Sequence, residues 1–267
     1  MELLGYIASI FMGLSLGMIG GGGSILTVPI LVYLFGIDPI LATAYSLFIV
    51  GLTALFGGFG YLKKGEVDIK TGFIFAVPSF IGVYLTRRYV VPSLPDPVFS
   101  VGEIAISKSL LIMLVFAVLM LAASVSMIRA KKTTENPKAP LSPAMRFGLI
   151  SLEGLIVGGV TGFVGAGGGF LIIPALVVLV GMPMKIAVGT SLFIIAAKSL
   201  IGFVGDLQGT AVIDWKLMLI VAAIAIVGLF LGMSLSKKVS ETALKKGFGY
   251  FVLLMGAFIL FDQIKRM

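Results

Sequence analysis

Long apolar stretches alternate with short polar ones along the whole chain. The apolar segments run over residues 3–19, 24–35, 40–62, 70–86 and 107–129, and then over 146–164, 170–181, 184–206, 216–236 and 245–262. Within each stretch the apolar residues are continuous. This predicts helices and argues against a porin-type barrel, whose strands alternate apolar and polar positions with a period of two. Most stretches approach or reach the length of about 20 residues that a bilayer-spanning helix needs. Segments 24–35 and 170–181 do not. At twelve residues each they would make helices about 18 Å long, against a hydrocarbon core of about 30 Å. The polar, Pro-containing stretch Lys131-Lys132-Thr133-Thr134-Glu135-Asn136-Pro137-Lys138-Ala139-Pro140 divides the segments into two sets of five and reads as a solvated linker. The pattern therefore predicts an all-α polytopic membrane protein: a first unit at 1–130, a linker at 131–145 and a second unit at 146–267. Met1-Glu2 lacks the positive n-region of a signal peptide, so the first segment is expected to stay as a helix.

The two units are copies of one another. Shifting the chain by 145 positions lays 17–49 on 162–194, and Gly17, Gly20, Gly22, Gly23, Leu26, Pro29, Leu31, Val32, Leu34, Gly36, Ala42, Ser46, Leu47, Phe48 and Ile49 meet identical residues. That is 15 of 33 positions, where this composition gives about 3 by chance. Further on, Gly82-Val83-Tyr84-Leu85-Thr86-Arg87-Arg88 resembles Gly232-Met233-Ser234-Leu235-Ser236-Lys237-Lys238, which implies a shift of 150 there. Duplicated units in a polytopic chain predict a transporter built about a pseudo-two-fold axis.

Composition agrees with a bilayer environment. The chain is 59% hydrophobic and 12% charged, with a mean hydropathy of +1.16, where soluble domains are about half apolar and a quarter charged. Cysteine and histidine are both absent. This rules out a disulfide scaffold and the usual thiolate and imidazole metal sites, and no cofactor is expected. The net charge of +8 sits mostly at segment ends. It therefore suggests positive-inside topology and lipid headgroup contact, not nucleic acid. The cluster Arg129, Lys131, Lys132, Lys138 and Arg146 places the linker in the cytoplasm. Lys63, Lys64 and Lys70 then mark 63–70 as cytoplasmic, while its counterpart 206–215 carries Asp206 and Asp214 and no basic residue. One loop later the bias reverses: Lys237, Lys238, Lys245 and Lys246 contrast with 87–107, where Asp96 and Glu103 offset Arg87 and Arg88. This asymmetry predicts inverted repeats in a multi-pass cell (inner) membrane protein.

Each short segment follows a glycine cluster, Gly20-Gly21-Gly22-Gly23-Ser24 or Gly165-Ala166-Gly167-Gly168-Gly169. Glycine costs a helix interior about 1 kcal/mol relative to alanine, so each unit is predicted to break there and resume as a re-entrant half-helix. Unpaired backbone at membrane depth is tolerated only inside protein or beside a water-filled cavity. A helix starting after such a break offers free N–H groups and the positive end of its dipole. Gly21, Gly22, Gly23, Ser24, Gly165, Gly167, Gly168 and Gly169 are therefore the backbone candidates for a small-anion site shared by the two breaks. Gly13/Gly17 and Gly158/Gly162 read instead as helix-packing surfaces.

Polar side chains inside apolar segments extend the candidate list. Ser46 and Ser191 are repeat equivalents, with Thr43 and Thr190 nearby; all four could donate to an anion or bond back to a carbonyl of their own helix. Lys198 has Thr53 as its counterpart and lies two turns from Ser191 on one helix face, where its charge would balance an oxyanion. Snorkelling to the interface or pairing with Asp206 are the alternatives. Glu153 and Asp206 are the candidate carriers of a coupling proton. Asp68-Ile69-Lys70 and Asp214-Trp215-Lys216 read as helix caps with interfacial anchors.

The run from Glu153-Gly154 through Gly165-Ala166-Gly167-Gly168-Gly169-Phe170-Leu171-Ile172-Ile173-Pro174-Ala175-Leu176 closely resembles the second-half signature of the TauE/SafE sulfite exporter family, also called the toluene sulfonate uptake permease family. Gly20 to Ser24 with Pro29, Gly189-Thr190-Ser191-Leu192-Phe193 and Lys198-Ser199-Leu200-Ile201-Gly202-Phe203 resemble it too. The resemblance covers nearly the whole chain. It implies an inner-membrane transporter of sulfite, sulfonates such as sulfoacetate, or related organosulfur anions. The reading is thus a secondary transporter working by alternating access, with membrane lipid around it and H+ or Na+ as candidate coupling ions. The alternatives are an anion channel, or a membrane-embedded enzyme using Ser191 or Ser199 with Lys198.

Overall fold

The computed structural model describes residues 2–101, 104–129, 143–178, 180–207, 213–236 and 241–265. Its helices are α1 (Glu2–Ile19), α2 (Gly22–Leu34), α3 (Pro39–Leu62), α4 (Ile69–Ser93), α5 (Lys108–Arg129), α6 (Pro143–Val164), α7 (Gly169–Val178), α8 (Met184–Asp206), α9 (Trp215–Leu235) and α10 (Glu241–Lys265). Among the described residues, seven of these are long and apolar enough to cross a membrane: α1, α3, α4, α5, α6, α8 and α9. Phe11, Phe73, Phe230, Leu254 and Phe261 lie on the outer surface, where lipid would cover them. Of the expected linker, 131–142 lie outside the described residues and 143–145 open α6.

Local chemistry places the helix starts. Asp38 caps α3 by accepting from the Ile40 amide at 2.8 Å, with Pro39 in the first turn. Asp68 accepts from the Thr71 amide at 3.0 Å and its hydroxyl at 2.7 Å. Asp214 accepts from the Leu217 amide at 2.9 Å. These side chains satisfy first-turn donors that have no partner within the helix. The short α2 opens as a 3-10 turn over Gly22–Leu26. It passes through Thr27–Pro29 and widens to a π turn over Ile30–Leu34, after the proline that removes a ladder donor.

The packing exchanges the two units. Gly13 and Gly17 of α1 lie against Ala225 and Leu229 of α9, while Gly158 and Gly162 of α6 lie against Ser79 and Val83 of α4. The small residues let these parallel pairs approach backbone to backbone. At the centre α3 and α8 run antiparallel: Leu47 meets Gly202, and Gly57 meets Leu192. These two contacts exchange when the repeat shift is applied. The Phe48 and Phe203 rings also meet, 5.1 Å between centroids. Helices α5 and α10 pack on each other.

The contacts correct two expectations. Gly82 touches the Leu155 carbonyl as Gly228 touches that of Ile10, so α4 and α9 correspond at a shift of 146, not 150. Arg87 is therefore equivalent to Met233, not Lys237. Gly228 and Gly232 are one turn apart, and a match based on glycines alone slips by that turn. The second correction concerns the end of the fourth segment. The helix does not stop at residue 86; it continues through a π turn over Thr86–Val90 to Ser93. Beyond it, in the stretch between α4 and α5, Phe99–Val101 and Ile104–Ile106 form an antiparallel ribbon.

Candidate functional site

Both glycine clusters break the chain as expected. Gly20 and Gly165, repeat equivalents, have φ of 84° and 71°, the left-handed region that a side chain disfavours. Their amides bond to the Leu16 and Thr161 carbonyls, each at 2.8 Å. The breaks then diverge. The second stays unwound through Gly167 and Gly168, with φ of 58° and 75°, whereas the first enters its 3-10 turn at Gly22.

The breaks meet at the centre of the protein. Gly21 and Gly169 touch backbone to backbone, so that a methyl group on either would fall on the other's Cα. Residues 20–24 and 165–169 are all buried. The expected gap between two facing half-helix N-termini is closed in this conformation, because two residues without side chains let the main chains come into contact. The polar groups lie beside this contact.

Each break rests on the central helix of the other unit. Gly20 lies against Val188 and Ser191 of α8. Gly165 and Gly167 lie against Thr43 and Val50 of α3. Ser46, one turn from Thr43 on the same face, is fully buried, and its Oγ has no hydrogen-bond partner. Ser24 donates to the Gly21 carbonyl at 2.7 Å and Ser191 to the Val188 carbonyl at 2.8 Å. Thr190 points elsewhere: its hydroxyl accepts from the Asp68 amide at 2.9 Å. On the other side of the exchange, the Tyr45 hydroxyl accepts from the Asp214 amide at 2.6 Å.

Lys198 neither snorkels nor pairs with Asp206. It is 1% exposed. Its ammonium donates to the Thr161 hydroxyl at 2.6 Å, and Thr161 in turn donates to the Val157 carbonyl at 2.7 Å. The Nζ lies against Gly168 of the second break. A buried ammonium can donate three hydrogen bonds and is costly at membrane depth unless it is compensated.

Asp206 is held by a residue that sequence reasoning did not select. Arg87, also 1% exposed, places Nη1 3.6 Å from Asp206 Oδ1 and donates from the same atom to Thr43 Oγ1 at 2.9 Å. Among the described residues its Nε and Nη2 have no hydrogen-bond partner, nor has Asp206 Oδ2. Two hydroxyl–cation pairs thus flank the second break, Thr43–Arg87 beside Gly165 and Thr161–Lys198 beside Gly168. Glu153, half-buried on α6, lies about three turns from the break along the helix, roughly 18 Å, and makes no hydrogen bond or ion pair among the described residues. A cleft of about 480 Å³ lined by Tyr33, Asp38, Ser109 and Gln263 opens at the C-terminal end of α2, away from the breaks. Among the described residues no group of His, Cys, Asp and Glu could hold a metal ion.

The spans and the paired breaks define a polytopic membrane protein, and two buried cations lie beside its central break. The chain belongs to the sulfite exporter TauE/SafE family, whose model matches residues 5–259. A "Probable membrane transporter protein" of Xylella fastidiosa (strain 9a5c) is 29% identical, covering 93% of this chain and 90% of its own length. The "Probable membrane transporter protein YunE" of Bacillus subtilis (strain 168) is 25% identical, covering 98% and 99%. A relative named in the same way from Methanocaldococcus jannaschii is 25% identical, covering 95% and 93%. No solved structure matches the chain.

Proposed function

We propose that the protein is a secondary transporter of a small sulfur-containing oxyanion, sulfite or a sulfonate, and that its two units are inverted copies rocking against each other in the inner membrane. The observation that carries the reading is Lys198, an ammonium buried against the unwound second break, with one hydroxyl as its hydrogen-bond partner among the described residues. The guest binds beside the Gly21–Gly169 contact, where Gly167, Gly169, Ser46 and Lys198 supply donors; the Gly168 amide is held by the Ala166 carbonyl at 2.5 Å, and this residue lines the wall. The first-break residues Gly22, Gly23 and Ser24 line the opposite wall. The antiparallel α3–α8 core, exchanged by the repeat, supports inversion, and the tightly closed breaks favour alternating access over an open channel. The spent hydroxyl of Ser191 and the distant commitment of Thr190 leave them secondary roles at most. Glu153, carrying no ion pair, is the carboxylate free to exchange a coupling proton. The linker faces the cytoplasm.

The test is uptake or efflux in proteoliposomes with a panel of sulfite, sulfonates, sulfate, phosphate and carboxylates, for the wild type and Lys198→Ala. Saturable flux of sulfite or a sulfonate, lowered at least tenfold by Lys198→Ala, is expected. Flux of a carboxylate alone would reject the substrate class. Ohmic conductance in place of saturable flux would reject the carrier.

A further inference from the structure

We infer that Arg87 is a second anion receptor at this site and the one that selects the shape of the guest: a planar pair of donors for two oxygens of one oxyanion. The inference rests on the transport reading above and adds the residue that reads geometry as well as charge.

The guanidinium is anchored on one corner only. Nη1 donates to Thr43 and faces Asp206, while Nε and Nη2 have no partner among the described residues, in a side chain that is 1% exposed. Those two atoms form one edge of the planar group, the edge that engages two oxygens of a carboxylate, sulfonate or phosphate in parallel. Buried polar groups are rarely left unpaired. A guanidinium lacking bonds on two adjacent donors, in a protein whose interior must carry an anion, is a receptor awaiting its guest.

Position supports the assignment. Thr43 bridges Arg87 to the second break, because it lies against Gly165 and its own proton is committed to the Ile40 carbonyl at 2.6 Å. Thr161 does the same for Lys198 at Gly168. Gly205 of α8, two turns from Lys198 and on the same helix face, lies against the Arg87 Cβ, so both long cationic side chains lie along one face of α8. Both also break the repeat: the equivalents of Arg87 and Lys198 are Met233 and Thr53. A scaffold whose glycine contacts exchange under the repeat carries both buried cations found among the described residues beside one break. Asp206 is the internal counter-ion; at 3.6 Å from Nη1, and with Oδ2 unpaired, it holds the guanidinium loosely enough for a guest to take over.

The experiment is anion binding to the purified full chain in detergent, by calorimetry and thermal shift, with sulfite, methanesulfonate, acetate and bromide. The proteins are wild type, Arg87→Lys and Asp206→Asn. Arg87→Lys keeps the charge but loses the donor pair, and sulfite affinity should fall about tenfold or more. Asp206→Asn removes the competing carboxylate, and affinity should rise severalfold. Bromide, having no oxygen pair, should fail to displace sulfite from the wild type. Arg87→Lys binding sulfite like the wild type would overturn the inference, as would Asp206→Asn weakening binding. Bromide competing as well as methanesulfonate would overturn it without any variant having to fold. Wild type that binds none of the four anions would instead sink the transport reading itself.

Discussion

Gly21 and Gly169 bring the two chain interruptions together with no side chain between them. Gly21 has φ −87° and ψ −10°, a conformation open to any residue, so its need for glycine is steric and not conformational. Gly21→Ala should therefore cost roughly 1–3 kcal/mol, the range for overpacking a tight core, and slow flux. Thermal unfolding in detergent and proteoliposome uptake measure the two effects. An unchanged melting temperature would mean that the breaks separate at little cost.

Thr161→Val leaves the Lys198 ammonium buried without an acceptor. The expected loss is roughly 1–3 kcal/mol. Adding Lys198→Met should recover most of it, because the charge and its partner then leave together. A thermal-unfolding double-mutant cycle reads both. Equal destabilisation of the single and double variants would place the effect in packing around Thr161.

The two repeat-related clasps should be independent. Tyr45→Phe and Thr190→Val each remove one acceptor from the amide of a capping aspartate, at about 1 kcal/mol apiece. They sit on different helix pairs, so the double variant should show the sum. A coupling above about 0.5 kcal/mol would show that the ends of the bundle communicate.

The absence of cysteine makes topology directly testable with single-cysteine reporters. Lys64→Cys should react with an impermeant maleimide only from the cytoplasmic side, and Lys216→Cys only from the opposite side. Labelling of both from one side would establish parallel repeats.

Much of the architecture was legible in the chain because hydrophobic length and glycine clustering are local signals. The segment at 24–35, too short to span, is α2, and the caps at Asp68 and Asp214 follow from aspartate placed before an apolar run. Arg87 was hidden for two physical reasons. A basic residue near a helix end ordinarily snorkels, and only the π turn at Thr86–Val90 and the helix beyond it show that the chain is still inside the bundle. The glycines of α9, spaced by one turn, also matched Arg87 with Lys237, making an internal charge look like one of a pair of boundary charges. Thr190 was misleading in the opposite way: a hydroxyl beside Ser191 looks like a site residue until its partner, Asp68 at the head of another helix, is seen.

Because α3 and α8 run in opposite directions, the Tyr45–Asp214 and Thr190–Asp68 bonds fasten opposite extremities of the bundle. One fastener is a phenol 2.6 Å from its amide and the other an alcohol at 2.9 Å. On the proposed carrier reading, two latches of unlike chemistry would release with unequal ease, and an unloaded carrier of this design would idle with one doorway favoured, its waiting orientation set by a tyrosine at one end and a threonine at the other.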